Sequence, residues 1–181
     1  MFSQHAFAVY PIATQAVGAN AVIGPALNYG NDLAAMSVRI TDKTRVIFIA
    51  NPNNPTGTLL KQIDLQGFIS GLPRHCLCVL DEAYFEFVVN KEGINSLDWL
   101  KTHPNLIITR TFSKAYGLAG LRVGYSLSSP EIADILNRVR QPFNNNALAL
   151  VAAEAALADE DYLQQTIAVN AQGMLDLTAG F

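Results

Sequence analysis

Three short apolar runs, each followed at once by a cluster of polar residues, restrict what this chain can fold into. The runs occupy residues 45–50, 75–80 and 106–108. The first has no apolar–polar alternation, a pattern typical of a parallel strand covered on both faces. Strands that alternate with helical stretches predict an α/β fold. We therefore expect a three-layer domain with a mainly parallel sheet flanked by helices.

The polar clusters lie where α/β folds bind ligands, which is at the carboxyl ends of the strands. The first run ends in Asn51-Pro-Asn-Asn-Pro-Thr-Gly57, a dense turn sequence. The second ends in Asp81-Glu-Ala-Tyr84, and the third continues into hydroxyl residues and glycines from Thr109 onward. These three segments are the candidates for a functional site.

The third cluster contains a lysine and an arginine. Lys114 lies where the strand ends, and Arg122 follows eight residues later, after two glycines. A lysine that close-packed neighbours keep from water can attack a carbonyl carbon. An arginine suits a phosphate oxygen, and the hydroxyls of Thr111 and Ser113 are further donors for it. The residues alone leave open a plain surface turn with a salt-bridged arginine.

Asp81 is an acid at the end of an apolar strand, where a carboxylate is costly to bury unless it is paired. A protonated pyridine nitrogen is one suitable partner, and the carboxylate would keep that nitrogen charged. The alternative is the acid pair of nucleotide hydrolases, formed here by Asp81 and Glu82. That site requires a Gly-x-x-x-x-Gly-Lys-Ser/Thr loop, which the sequence lacks, as it lacks the dinucleotide-binding Gly-x-Gly-x-x-Gly motif.

The composition narrows the class of protein. The 181 residues suffice for one domain with a core, and 50% are hydrophobic against 15% charged. A net charge of −3 gives no basic surface for nucleic acid or acidic membranes. No apolar run approaches the ~20 residues of a membrane span, and no signal peptide is evident. We expect a cytoplasmic protein with no metal site, with Cys76 and Cys78 as reduced core residues.

The local patterns predict several helices. Residues 5–17 predict a turn and a short helix, on which Phe7 and Tyr10 share a face as core aromatics. Residues 58–70 predict a second helix, and Ser129 followed by Pro130 predicts the start of another. A strand is predicted from Arg122 to Leu127. The predicted core positions of the second and third helices are Leu59, Leu60, Ile63 and Phe68, and Ile132, Ile135, Leu136 and Val139.

The segment from Ser113 to Gly124 resembles the Schiff-base lysine segment of pyridoxal-phosphate-dependent aminotransferases of fold type I. It reads Ser-Lys-Ala-Tyr-Gly-Leu-Ala-Gly-Leu-Arg-Val-Gly. Residues 51–57 resemble the Asn-Pro-Thr-Gly motif of the same enzymes. Residues 141–146, Gln-Pro-Phe-Asn-Asn-Asn, are similar to a segment of histidinol-phosphate aminotransferases, with Asn145 where valine is frequent. The resemblance covers nearly the whole chain and is greatest to that group.

The resemblance implies a site for pyridoxal 5'-phosphate. Lys114 is the catalytic residue, which forms the Schiff base and then moves a proton as general base and acid. Asp81 faces the ring nitrogen, Asn54 and Tyr84 face the phenolic oxygen, and Phe7 stacks on the pyridine ring. The implied contacts to the cofactor phosphate are Thr111, Ser113 and Arg122.

The resemblance also implies a reaction, transamination between histidinol phosphate and 2-oxoglutarate in histidine biosynthesis, by a homodimer. Residues 1–158 correspond to the large cofactor domain, truncated at its N-terminus, and residues 159–181 to a long helix leading toward a missing small domain. A central fragment of this kind is expected to bind the cofactor weakly and not to transaminate. The alternatives are an aromatic or broad-specificity aminotransferase, a phosphothreonine decarboxylase, or an inactive truncated homologue that acts as an interaction module.

Overall fold

A computed structural model describes residues 1–88 and 95–181 as alternating strands and helices. The first elements are β1 (Phe2–Ser3), α1 (Val9–Ala16), β2 (Ile23–Gly24), β3 (Ala26–Leu27), β4 (Gly30–Asn31) and α2 (Leu33–Ser37). The middle elements are β5 (Val46–Ala50), α3 (Gln62–Ser70), β6 (Leu77–Asp81), α4 (Ser96–Trp99) and β7 (Leu106–Thr111). The last are β8 (Gly124–Ser128), α5 (Pro130–Val139), α6 (Ala147–Ala158) and α7 (Glu160–Gly180). Short 3₁₀ turns occupy Phe85–Phe87 and Ala119–Leu121.

The four longer strands form one sheet in the order β5-β6-β7-β8. The first three run parallel, and β8 is antiparallel to β7. At the outer edge of β5, the amide of Phe48 donates to the carbonyl of Met1 at 2.9 Å, so the start of the chain extends this edge. The predicted α/β fold with a mainly parallel sheet is confirmed. The strand predicted from Arg122 begins two residues later, because Arg122 adopts a left-handed backbone with φ 54°.

One face of the sheet carries the main core. Helices α2, α3 and α4 cover it, with Met36, Leu65 and Trp99 among the buried side chains. The strand residues of this face are almost completely buried: Ile47, Ile49, Cys78, Leu80, Leu106 and Ile108. Cys76 and Cys78 are both free thiols within this core, as predicted. Burial raises the pKa of the Cys78 thiol to about 12.

The opposite face is only partly covered. Helix α1 packs there through Tyr10, whose ring stacks on Phe48 with centroids 4.8 Å apart. Val46 and Phe48 of β5 and Val79 of β6 remain partly exposed. The prediction that β5 is covered on both faces is therefore wrong for its second face.

Helix α3 is shorter than predicted, and its core face differs. It begins at Gln62, so Leu59 lies outside it, and both Leu59 and Ile63 are exposed. The buried residues of the helix are Leu65, Phe68 and Ile69, a stripe at the spacing of one helix face. Of the predicted core positions, Phe68 is buried in this stripe, and Leu60, which precedes the helix, is partly buried against the core.

Helix α5 begins as predicted but does not pack as predicted. The Oγ of Ser129 accepts from the amide of Ile132 at 3.4 Å, and Pro130 occupies the first turn. Ile135, Leu136 and Val139 form its apolar face, yet all three are exposed. Helical spacing specifies which residues share a face, whereas what covers that face depends on the rest of the structure.

Two helices, α6 and α7, form the C-terminal part of the chain. The side chain of Asp159 accepts from the amide of Tyr162 at 3.0 Å and caps α7, which continues to Gly180. Helix α6 packs under the end of β7, where Ala149 and Ala153 contact Phe112. In residues 1–88 and 95–181, no helix is both long enough and apolar enough to span a bilayer.

Candidate functional site

The carboxyl ends of the parallel strands meet at one edge of the sheet and form a cleft. Five of the predicted site residues line it: Phe7, Asn54, Asp81, Tyr84 and Lys114. They come from four separate segments of the chain. The parallel registers of β5, β6 and β7 bring three of these segments to a common edge, and Phe7 comes from the segment before α1. The clustering is the arrangement that the carboxyl-end rule for α/β sheets predicts.

Asp81 is held in this cleft by two neutral donors. Its Oδ2 accepts from the hydroxyl of Tyr10 at 2.6 Å, and its Oδ1 accepts from the amide of Ala83 at 3.1 Å. Among the described residues, no basic side chain forms an ion pair with Asp81. The carboxylate is only half-buried and remains open to a further partner.

Tyr10 is the site residue that the sequence predictions missed, because they placed it in the core alone. It is indeed buried, but its hydroxyl belongs to the cleft. Burial and the adjacent Asp81 carboxylate raise the pKa of the Tyr10 phenol far above its ordinary value. The hydroxyl therefore stays a hydrogen-bond donor at neutral pH. The one signal available in the sequence was its three-residue spacing from Phe7.

Asn54, Tyr84 and Lys114 form the other side of the cleft. The side-chain amide of Asn54 donates to the Tyr84 hydroxyl at 3.2 Å, and the Lys114 Nζ lies 5.2 Å from the centroid of the Tyr84 ring. Lys114 is exposed, although Ala115 beside it is fully buried. The predicted desolvation of Lys114 is therefore wrong for this chain, because the cleft is open to solvent where the lysine enters it.

Asn53 fixes the turn that carries Asn54. It is buried, and its side-chain amide donates to the carbonyl of His5 at 2.9 Å and to the Thr56 hydroxyl at 2.8 Å. The peptide bonds that precede Pro52 and Pro55 are both cis. Asn53 thus ties the Asn54 turn to the segment that leads into Phe7.

The three remaining predicted residues form a second group that adjoins Lys114. Arg122 Nη1 donates to the Ser113 Oγ at 3.4 Å and to the carbonyl of Ala119 at 2.8 Å. The amide of Ser113 donates to the Thr111 Oγ1 at 3.1 Å. Gly117, with φ 70°, turns the chain between Lys114 and Arg122. The group offers one guanidinium and two hydroxyls, from the end of β7 and the segment that follows it, which suits an anion.

Glu82, next to Asp81, points away from the cleft. It is buried with Arg110, whose Nε and Nη2 donate to the same Glu82 oxygen at 2.9 and 2.7 Å. The Arg110 guanidinium also lies 4.1 Å from the centroid of the Phe85 ring. Because successive residues of a strand face opposite sides, Asp81 and Glu82 do not act on one ligand. In residues 1–88 and 95–181, no group of three His, Cys, Asp or Glu side chains is arranged to bind a metal.

The model of the aminotransferase class I and II family matches residues 2–181. The chain belongs to this family. Two curated aminotransferases are close relatives. Histidinol-phosphate aminotransferase 1 of Idiomarina loihiensis is 57% identical over 178 residues, which are 98% of this chain and 48% of that enzyme. Histidinol-phosphate aminotransferase 2 of Pseudomonas fluorescens Pf-5 is 60% identical over 181 residues, all of this chain and 49% of that enzyme.

A solved structure shows the same fold. The histidinol-phosphate aminotransferase from Sinorhizobium meliloti, in complex with pyridoxal-5'-phosphate, superimposes with a TM-score of 0.86 and 34% sequence identity. The match covers 92% of this chain and 45% of that one. This aminotransferase chain therefore spans about half the length of the relatives that it matches.

Proposed function

We propose that this chain is the cofactor-binding part of a pyridoxal-phosphate-dependent aminotransferase that transfers an amino group from histidinol phosphate to 2-oxoglutarate. The observation that carries the proposal is the cleft in which Asp81, Asn54, Tyr84 and Lys114 meet beside Phe7. The names of the relatives support the choice of substrate.

The donors and acceptors of the cleft fit pyridoxal phosphate. Each Asp81 oxygen has one neutral donor and a lone pair left for a cationic ring N–H. On the other side, the Asn54 amide and the Tyr84 hydroxyl can both donate to a ring oxygen, and Phe7 offers an aromatic wall. When bound, pyridoxal phosphate supplies an aldehyde for an amine and a ring that withdraws electrons.

Each of these residues has a separate task in the proposed reaction. The Lys114 amine would hold the cofactor covalently, and once a substrate amine has displaced it from that bond, the freed Nζ would take up and return a proton. The charge of Asp81 stabilises the proton on the ring nitrogen, while Asn54 and Tyr84 orient the ring through its oxygen. Arg122, Ser113 and Thr111 would bind the phosphate, to which they offer one guanidinium and two hydroxyls.

The proposal extends to the organisation of the whole protein. Residues 1–158 form the large cofactor domain, and residues 159–181 are a helix that leads to a small domain. The complete enzyme is a cytoplasmic homodimer in histidine biosynthesis. The family match over residues 2–181 and the relatives of about twice the matched length support this arrangement.

Reductive labelling tests the cofactor site directly. The protein is mixed with pyridoxal phosphate, reduced with borohydride and digested, and the labelled lysine is found by mass spectrometry. We expect the label on Lys114 and its loss in Lys114→Ala, with Lys43, Lys61 and Lys101 as internal controls. Label spread evenly over all lysines, including Lys91 outside the described residues, would contradict the proposal.

A substrate panel on the full-length gene product tests the reaction. Amino transfer from histidinol phosphate that exceeds transfer from aromatic amino acids supports the proposed substrate. Release of carbon dioxide from phosphothreonine identifies the decarboxylase alternative, and no turnover with any substrate identifies an inactive homologue. The 181-residue chain alone is expected not to transaminate, so a steady rate from it would contradict that part of the proposal.

A further inference from the structure

We infer that Tyr10 is a positioning residue of the proposed site, whose hydroxyl fixes the Asp81 carboxylate in the orientation that meets the cofactor's ring nitrogen. This inference rests on the proposed function. None of the sequence motifs includes Tyr10, and the structure joins it to Asp81 across 71 residues of chain.

The contact has the geometry of a strong hydrogen bond. The Tyr10 hydroxyl lies 2.6 Å from the Asp81 Oδ2, within the range of hydroxyl–carboxylate bonds. The Ala83 amide holds the other oxygen at 3.1 Å. With a donor on each oxygen, the plane of the carboxylate is fixed, whereas the Ala83 amide alone would leave it free to rotate.

The ring of Tyr10 is itself held in place. It is stacked on Phe48, with centroids 4.8 Å apart and planes 12° apart. The Tyr10 ring also forms an edge-to-face pair with the Phe7 ring, and the two ring centroids are 5.9 Å apart. Tyr10 therefore connects two proposed cofactor contacts, the Asp81 carboxylate and the Phe7 ring. A displacement of Tyr10 would alter both.

A neutral donor suits this position better than a cation. A hydrogen bond from a hydroxyl stabilises the carboxylate anion without cancelling its charge. The Glu82 carboxylate is the contrasting case, because the Arg110 guanidinium donates two charge-assisted hydrogen bonds to it. Within residues 1–88 and 95–181, no basic side chain pairs with Asp81, which leaves it available to a cationic N–H in the cleft. Burial and the Asp81 charge also raise the pKa of Tyr10, so the donor is not lost at neutral or mildly alkaline pH.

The test replaces Tyr10 by phenylalanine in the full-length protein, which removes the hydroxyl and keeps the stacked ring. We expect about 10-fold weaker binding of pyridoxal phosphate, the size of effect that a hydrogen bond to a charged group has. We also expect the absorbance of the bound cofactor to change with pH differently from the wild type. Tyr29→Phe, at an exposed tyrosine, is the matched control and should leave both measurements unchanged.

Two further comparisons separate positioning from a structural effect. In Asp81→Asn, the additional change Tyr10→Phe should weaken cofactor binding by less than about 2-fold, because the two residues act through one contact. Two amino acids of similar volume at position 10, 4-aminophenylalanine with a donor and 4-methylphenylalanine without one, keep the test usable if Tyr10→Phe does not fold. The first should bind the cofactor about as well as the wild type, and the second about 10-fold more weakly.

The outcomes distinguish this inference from the proposed function. If the wild type is labelled at Lys114 but the Tyr10 variants bind like the wild type, the inference is overturned and the proposed function stands. Equal losses from Tyr10→Phe in the wild type and in Asp81→Asn would also overturn it. If the wild type carries no label at Lys114, the proposed function fails, and the role of Tyr10 fails with it.

Discussion

The two faces of strand β6 differ although they share one backbone. On one face, Cys78, Leu80 and Glu82 are almost completely buried. On the other, Leu77, Val79 and Asp81 remain partly exposed. The sealed face ends in the Glu82–Arg110 ion pair, and the open face ends in the cleft that contains Asp81.

The difference shows how one strand serves both stability and binding. The Arg110 guanidinium pairs with the Glu82 carboxylate, so the charge of Glu82 is balanced within the protein. Burial lowers the pKa of Arg110, but the Glu82 carboxylate, assisted by Tyr125, more than compensates and holds that pKa above its ordinary value. Within the described residues, the donors to Asp81 are neutral, so no cation of the protein competes there with a ligand.

The largest loss of stability is expected for Glu82→Gln on the sealed face. The change leaves Arg110 buried without its counter-charge, which costs about 3–5 kcal/mol in comparable buried pairs. Urea denaturation measures the loss. Glu131→Gln, in the exposed first turn of α5, should change the free energy of unfolding by less than about 0.5 kcal/mol. A loss below about 1 kcal/mol for Glu82→Gln would show that the pair is not a main stabilising element of this face.

Alkaline pH should destabilise the fold through Cys78. The pKa of this thiol is about 12 in the folded protein, against an ordinary value of 9.0. Above pH 9 the unfolded chain loses this proton while the folded chain keeps it, so the unfolded state binds fewer protons and stability falls. The stabilisation is fully present below pH 9 and declines by up to about 1.4 kcal/mol per pH unit until about pH 12.

Denaturation measured between pH 8 and pH 10.5 checks this prediction. Cys78→Ala should be less stable at pH 8, because it leaves a cavity, but its stability should fall less steeply above pH 9. Cys76 and Tyr10, whose pKa values burial also raises, contribute to the slope that remains. Identical slopes for Cys78→Ala and the wild type would contradict the assignment.

A smaller effect is expected on the open face. Val79→Ala removes a side chain that is already partly exposed, and we expect a loss of about 1 kcal/mol. Leu80→Ala, one residue along on the sealed face, is the matched comparison and should cost about 2–5 kcal/mol. Equal losses at the two positions would remove the distinction between the faces.

The smallest effect on stability is expected for Asp81→Asn, at less than about 1 kcal/mol. The amide oxygen can still accept from the Ala83 amide, and the amide nitrogen can donate to the Tyr10 hydroxyl, which is also an acceptor. The same variant should bind pyridoxal phosphate at least about 10-fold more weakly, since the charge opposite the ring nitrogen is gone. Denaturation and equilibrium cofactor binding give the two values. A large loss of stability with unchanged cofactor binding would contradict the assignment of Asp81 to ligand binding and would give it the stabilising role assigned to Glu82.

The sequence predicted the features that depend on chain order and local spacing. Alternating strands and helices gave the α/β fold, and the polar clusters marked the edge where Asn54, Asp81 and Lys114 lie together. The cap at Ser129 followed from a local pattern and is present. Such features are decided within a few residues of chain, or by the rule that parallel strands align their carboxyl ends.

The features that the sequence did not predict depend on how distant elements approach each other. The Tyr10 hydroxyl reaches Asp81 only because α1 packs on the open face of the sheet. The apolar face of α5 was visible as a pattern, but its exposure was not. The exposure of Lys114 likewise depends on what closes the cleft, which local spacing does not encode.

The hydrogen bond from Asn53 to the His5 carbonyl has a consequence for the order of folding. It connects residues 48 positions apart, so a long loop must close before Phe7 can face Asn54. Closing such a loop costs chain entropy before any contact compensates for it, and non-local pairings of this kind form slowly. Assembly of the cleft should therefore lag behind helix formation, and a chain that has collapsed but not yet joined these two segments cannot hold its ligand.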